Sequence, residues 1–322
     1  MCHGVAAVSG HRISFRVCRR LCKLSRRRKQ PAERGWPVWC AAIGIAMLLA
    51  PAPLRAEVVV DLQLVIAVDI SYSMDLEEQR LQRDGYVTAL RDAELLKAIR
   101  SGPNGRIAIV YFEWAGPGSQ KIVMPWTVID GEAAAEAFTS KLAAVPISRW
   151  SMTSISSALD FGERLFSSSG VAGGRRVIDV SGDGPNNAGA PIVGIRDGLV
   201  ARGITINGLP IVLKVDGPFD IPDLDYYYQE CVIGGLGSFM IPIRERSQFQ
   251  SATRRKLLLE IAGLTPPAAA GPRGGRIGRV IRTQAKDETG RPAGASKEPS
   301  ERAPMDCMIG EKLRQRWFGG QR

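Results

Sequence analysis

The chain has 322 residues, 45% of them hydrophobic and 7% aromatic, enough to bury a sizeable core in one large domain or two small ones. Its net charge of +11 suggests a nucleic-acid footprint, but the charge is at the ends: residues 1–56 hold 11 Lys/Arg against one acid, Glu33, and residues 265–322 hold 12 against 6. Residues 57–264 carry 20 basic and 25 acidic side chains, a mildly acidic middle that argues against a DNA-binding domain, whose Lys/Arg would gather on the folded face.

Residues 1–56 have the layout of an export signal: a basic stretch from Arg19 to Lys29, an uncharged apolar run over 35–54, then Arg55 and Ala56. Cleavage after Ala56 is expected, which places the mature chain in the periplasm or outside the cell. The alternative is an uncleaved anchor, since about 20 apolar residues can span a bilayer, although Pro37, Pro51 and Pro53 crowd the run. The pair Arg26-Arg27 is a weak twin-arginine signal, because Arg28, Lys29 and Gln30 follow it. Four of the six cysteines and both histidines, His3 and His11, fall in this leader, so the mature chain has no zinc site and no His-dependent catalysis to offer. Cys231 and Cys307 remain; an oxidising compartment permits a disulfide between them, but their spacing does not demand one.

From residue 57 apolar runs alternate with helical periods. Residues 58–70 are β-branched and almost uninterrupted, as in a central strand buried on both faces. A polar turn at Ser71-Tyr72-Ser73 leads to a helix over 76–99, apolar on one face and charged on the other, ended by SGPNG. Strands over 106–114 and 121–129 flank Gly116-Pro117-Gly118 as a hairpin, and helices are expected over 132–142 and 154–166. A strand over 176–180 stops at Ser181-Gly182-Asp183-Gly184. A helix over 192–201, a strand over 204–209, a Tyr-rich helical stretch over 224–231, a strand over 238–243 and a helix over 248–261 follow. Beyond Thr265, Pro, Gly, Ala and charge dominate, so residues 265–322 are expected to be a disordered basic tail with at most a short helix over 308–317.

Three segments are thus expected: a leader over 1–56, one domain over 57–264 and the tail. Strands alternating with helices predict a doubly wound, mostly parallel α/β sheet with one antiparallel edge strand.

In such sheets ligands bind at the carboxyl ends of the strands. Three loops there carry hard oxygen donors: Asp69, Ser71 and Ser73 after the first strand, Thr153 before the helix over 154–166, and Asp183 before Gly184. Two carboxylates and three hydroxyls, with no nitrogen or sulfur, suit Mg²⁺, Mn²⁺ or Ca²⁺. With two formal charges such a site holds its metal weakly and leaves room for water or an outside carboxylate. VIAVDISYS, SMTSISSAL and VIDVSGDG resemble, in order, the metal-ion-dependent adhesion site of von Willebrand factor type A domains, over about residues 60–262. RRVIDVSGDGPNN and DLDYYYQECVIGG are similar to a family of uncharacterised exported bacterial proteins with this domain.

The resemblance implies that Ser71, Ser73 and Thr153 ligate the metal through hydroxyls. It also implies that Asp69 and Asp183 act partly through water, and that an acidic group of a protein or peptide partner fills the remaining position. Many of these domains have glycines before the loop threonine, where this chain has Arg149-Trp150-Ser151-Met152, so the inward direction of Thr153 rests on resemblance.

A metal-dependent hydrolase using Asp69 as nucleophile is the enzymatic alternative, but Ser71 stands where a second acid is needed, and no general acid is in view. A metal-independent structural module is the other. No G-x-G-x-x-G follows the first strand, against a Rossmann nucleotide site. Glu113 and Trp114 could read a rim, though a strand-end packing role is the plainer one. Tyr226, Tyr227 and Tyr228 read as a face covering the sheet, Cys231 as a small buried hydrophobe, and Asn186 and Asn187 as loop-forming residues able to hydrogen-bond a ligand.

Overall fold

The computed structural model describes residues 57–214, 217, 220–263, 279–280 and 303–319, all within a compact unit spanning Ala56–Arg322. The leader expectation lies outside the described residues. In chain order the elements are β1 (Val58–Val59), β2 (Leu62–Asp69), α1 (Leu76–Leu90), α2 (Ala93–Arg100), β3 (Ile107–Trp114) and β4 (Gln120–Ile129). Then come α3 (Glu132–Ala144), α4 (Ile155–Phe166), β5 (Val171–Ala172), β6 (Arg175–Gly182), α5 (Ile192–Ala201) and β7 (Ile204–Pro210). Last are α6 (Leu224–Tyr227) running into a π-helical turn (Tyr228–Val232), β8 (Phe239–Met240), α7 (Phe249–Ala262), β9 (Arg279–Val280) and α8 (Ile309–Gly319).

Seven strands form the main sheet in the order β4-β3-β2-β6-β7-β8-β9. Every pairing is parallel except β3 with β4, the antiparallel edge expected from the Gly-Pro-Gly hairpin. Pro125 is tolerated in β4 because an edge strand can lack a donor, and the β3–β4 register shifts beside it, between Ile109 and Tyr111. The fold is therefore the doubly wound α/β sheet with one antiparallel edge strand.

Successive residues of a strand face opposite sides. Leu62, Leu64, Ile66 and Val68 of β2 pack with Tyr86, Leu90, Leu95, Phe138, Phe249 and Leu257 of the helices on one face. Val65 and Ala67 pack with Ile155, Leu159, Ile178 and Ile206 on the other. All eight residues of β2 are buried, which is why its sequence is continuous rather than alternating.

Departures from the sequence reading have identifiable physical causes. The strand expected over 58–70 breaks after Val59, where Asp61 turns to accept bonds from the Asn104 backbone N–H at 2.9 Å and its side-chain amide at 2.7 Å. The single helix over 76–99 is two helices, because Asp92 caps a new one by accepting from the N–H groups of Glu94 and Leu95, both at 3.1 Å. The charged face of α1 is also not all solvated: Glu78, Gln79, Gln82 and Arg83 are buried. In the segment 265–322 the short helix expected over 308–317 is present as α8, and a disulfide between Cys231 and Cys307, whose Cα atoms are 5.5 Å apart, ties it to the domain. Low apolar content hid this, since a covalent tether orders a segment without a large apolar face of its own.

One buried polar cluster fastens α7 to the sheet. The ammonium of Lys256, fully buried, contacts the carboxylate of Asp179 on β6 and that of Glu260 one turn on at 2.5 Å. Glu260 also accepts from the Asn207 amide on β7 at 2.9 Å, and Asp179 from the Tyr86 hydroxyl at 3.3 Å. Burial pushes the Glu260 carboxyl up to about 7, against the pull of the Lys256 ammonium. Between its ordinary value of 4.5 and about 7 the folded chain therefore keeps a proton that the unfolded chain has released. Stability from this group is full below that window and is lost as pH rises through it. Glu260→Gln is expected to flatten the slope. Thermal melts of both chains at pH 4.5 and 7.5 measure it, and an unchanged difference between wild type and variant refutes the assignment.

Candidate metal centre

The chain leaves β2 for β3 on one side and returns to β6 on the other, so the crevice of this sheet opens between the carboxyl ends of β2 and β6. Asp69 ends β2 and Asp183 follows β6. The Asp69 carboxylate is fully buried and one oxygen accepts from the Ser71 N–H at 2.7 Å. That bond curls the backbone so that the Ser71 and Ser73 hydroxyls meet at 2.7 Å, and Ser73 donates to Asp183 at 2.6 Å. A continuous line of oxygens thus runs from the first loop to the third. In octahedral Mg²⁺ sites with bonds of 2.0–2.1 Å, neighbouring ligand oxygens lie about 2.9 Å apart, close to this spacing.

The second oxygen of Asp69 is buried without a hydrogen-bond partner. It faces Gly182, where a Cβ would stand 2.7 Å from it and 3.0 Å from the Tyr228 hydroxyl, so only glycine admits β6 this close. Burial, and then the neighbouring Asp183, push the Asp69 carboxyl well above the usual carboxylate range. Burial likewise raises Asp183 to about 6, with the Ser73 hydroxyl and the Lys214 ammonium pulling the other way. A fully buried acid with an orphaned oxygen beside a second, half-buried acid is the electrostatic state that a divalent cation relieves, and the donor set of hard oxygens fits Mg²⁺, Mn²⁺ or Ca²⁺. Among the described residues no three His, Cys, Asp or Glu side chains cluster as a metal site, so a cation here depends on the hydroxyls.

Thr153 reaches the same place by a braced loop. Trp150 donates to the Ile70 carbonyl at 2.9 Å, and Gly116 donates to Ser151 at 3.1 Å. The Thr153 N–H donates to the Asn187 side chain at 3.0 Å, and the Asn187 N–H returns to the Thr153 carbonyl at 2.8 Å. Met152, where many adhesion-site domains have glycine, takes a left-handed φ of 69°. Ser71, Ser73, Thr153 and Gly184 line one cavity of about 650 Å³, with Asp69 and Asp183 behind the serines.

Several supporting residues escaped the sequence reading. Gln82 donates to the Asp69 carbonyl at 3.1 Å and Gln79 to that of Ser71 at 3.4 Å, which is why both are buried on α1. Lys214 donates to the Ser73 carbonyl at 2.8 Å while pairing with Glu78 at 2.6 Å. Polar residues recurring on the core side of α1 were the available signal. Asn186 proves structural: buried, it accepts from the Ser156 N–H at 3.0 Å and donates to Glu311 of α8 at 2.7 Å. Glu113 and Trp114 are buried, Glu113 against Arg83, and so form no rim. Tyr227 and Tyr228 are fully buried, covering the sheet as expected.

No curated protein is significantly similar in sequence. Among solved structures the chain is similar to proximal thread matrix protein 1 from the mussel byssus with a zinc-occupied MIDAS motif, at 19% identity and a TM-score of 0.46 over 64% of this chain and 49% of that one. It is also similar to a von Willebrand factor type A structure from Catenulispora acidiphila (14% identity, TM-score 0.44, 63% of this chain and 43% of that one). A third is an aerotolerance-related membrane protein from Bacteroides fragilis NCTC 9343 (22% identity, TM-score 0.43, 63% and 100%). The chain thus spans about half the length of the mussel protein. A family model described as protein of unknown function (DUF1194) matches residues 59–265, and the chain belongs to that family.

Proposed function

We propose that this domain is a binding module, not an enzyme, that holds Mg²⁺, or Mn²⁺ or Ca²⁺ in its place, through Ser71, Ser73 and Thr153, with Asp69 and Asp183 behind them. The metal captures an acidic residue of a protein or peptide partner. The observation that carries this reading is the run of hydrogen bonds from Asp69 through the Ser71 N–H to the Ser71 and Ser73 hydroxyls and on to Asp183, beside an open cavity. Two carboxylates leave a bound divalent cation short of ligands, and an outside carboxylate completes it. Export fits the Cys231–Cys307 disulfide, since such bonds persist in oxidising compartments. Among the described residues no helix is long and apolar enough to cross a membrane.

Calorimetry on the full chain with Mg²⁺ and with Mn²⁺ at millimolar concentration is expected to show saturable binding; no heat with either metal ends the proposal. Ser71→Ala combined with Ser73→Ala removes two first-sphere donors and is expected to weaken the metal at least about 100-fold, the upper range for losing even an outer-sphere partner. Asp69→Ala is expected to abolish binding while far-UV circular dichroism stays native.

Protons and metal compete for the same oxygens, so affinity is expected to fall as pH drops through about 6, where Asp183 takes up its proton. Titrations at pH 7.5, 6 and 5 test this, and a flat profile contradicts it.

A further inference from the structure

The cavity beside the hydroxyls is only partly built by the domain that the family model covers. One wall is α8, which lies beyond residue 265 and contributes Arg314 and Phe318. Four contacts seat this helix. The Cys231–Cys307 disulfide fixes its entry, Asn186 donates to Glu311 at 2.7 Å, and Arg314 donates to the Asn187 carbonyl at 3.3 Å. Gly310 lies flush on the loop after Asp183: a Cβ there would stand 2.1 Å from the Asn186 carbonyl oxygen. A helix seated so closely is part of the site's architecture.

The mouth of the cavity is apolar on both sides. Tyr72 and Met152 from the domain are 61% and 44% exposed, and Phe318 across from them on α8 is 60% exposed. Met152 keeps this place with a left-handed backbone that the loop's bonds to Ile70, Gly116 and Asn187 hold. Exposed apolar side chains gathered round a polar centre mark a recognition surface. The cation Arg314 adds a second attraction for a negative group.

We propose that α8 completes the ligand site, and that Tyr72, Met152, Phe318 and Arg314 select peptides in which an apolar side chain directly adjoins the metal-seeking carboxylate. This rests on the binding reading above. The carboxylate seats at the hydroxyls, its charge is shared with Arg314, and the neighbouring side chain enters between Met152 and Phe318. The disulfide makes that second half of the site a fixed wall.

The test uses the full chain saturated with Mg²⁺ and two probes, N-acetyl-aspartyl-phenylalaninamide and N-acetyl-aspartyl-glycinamide, titrated by calorimetry. The wild type is expected to prefer the phenylalanine probe by about tenfold, the ratio that 1.4 kcal/mol of apolar contact gives. Phe318→Ala and Gly310→Ala are expected to erase the preference with Mg²⁺ affinity within twofold, and Arg314→Gln to weaken both probes. Met152→Gly is the control for a merely structural role, since it is expected to raise or preserve the melting temperature while still losing the preference. Equal affinity for the two probes in the wild type, or an undiminished preference in Phe318→Ala and Gly310→Ala, overturns the inference and leaves metal binding standing. Absence of Mg²⁺ binding itself overturns the reading beneath it.

Discussion

The carboxyl edge of the sheet is organised by the burial of the Asp69 carboxylate at the end of the central strand, with one oxygen bonded to the Ser71 N–H and the other left without a hydrogen bond. An ionised group in such a place is costly unless something compensates it. The bond to Ser71 fixes the turn that brings Ser73 to Asp183, and the uncompensated oxygen forces β6 to approach with glycine at 182. The glutamines of α1 then hold the carbonyls of Asp69 and Ser71, so the helix is anchored by the same loop that it supports. The contacts of the first loop and of α1 on this edge thus gather round that one acid, while the Thr153 loop is held separately by Asn187 and Gly116.

The chain has a second buried acid cluster, and the contrast is informative. Asp179 and Glu260 are as deeply buried as Asp69, but Lys256 lies between them with no exposed surface. That cluster is closed: its cation belongs to the chain, and it serves to lock α7 onto β6 and β7. Asp69 and Asp183 have no such partner within their own shell. The nearest ammonium, Lys214, is already engaged by Glu78 and the Ser73 carbonyl. An internal ammonium thus separates the closed cluster from the proposed cation site.

Much of this was legible in the sequence because strand burial and turn chemistry are local. The continuous apolar run of β2, the Gly-Pro-Gly hairpin and the abrupt stops at Asp69 and Asp183 predicted the doubly wound sheet and which loops meet at its edge. The break between α1 and α2 was also local, in Asp92, but its capping role competes with a helical period that runs through it. The path of the loop from Arg149 to Met152 was not legible, because a left-handed methionine is the product of bonds to Ile70, Gly116 and Asn187, residues distant in sequence. The helix over 308–317 was legible and is α8, but its docking on the domain was not. Its residues are mostly polar, and only a covalent tether to Cys231 and a glycine facing Asn186 reveal that it belongs to the domain.

The left-handed Met152 and the docked α8 face the same cavity. The donors are arranged by short-range rules that any chain with this strand and turn pattern could satisfy, so under the proposed reading they would specify a cation and little more. Selectivity needs surface that the oxygen cluster does not supply. Here that surface comes from a residue held against its backbone preference and from a helix stapled in from outside the matched family region. Both are features that local propensity alone would not produce, and for that reason they are where partner choice can differ between chains sharing the same metal-binding loops.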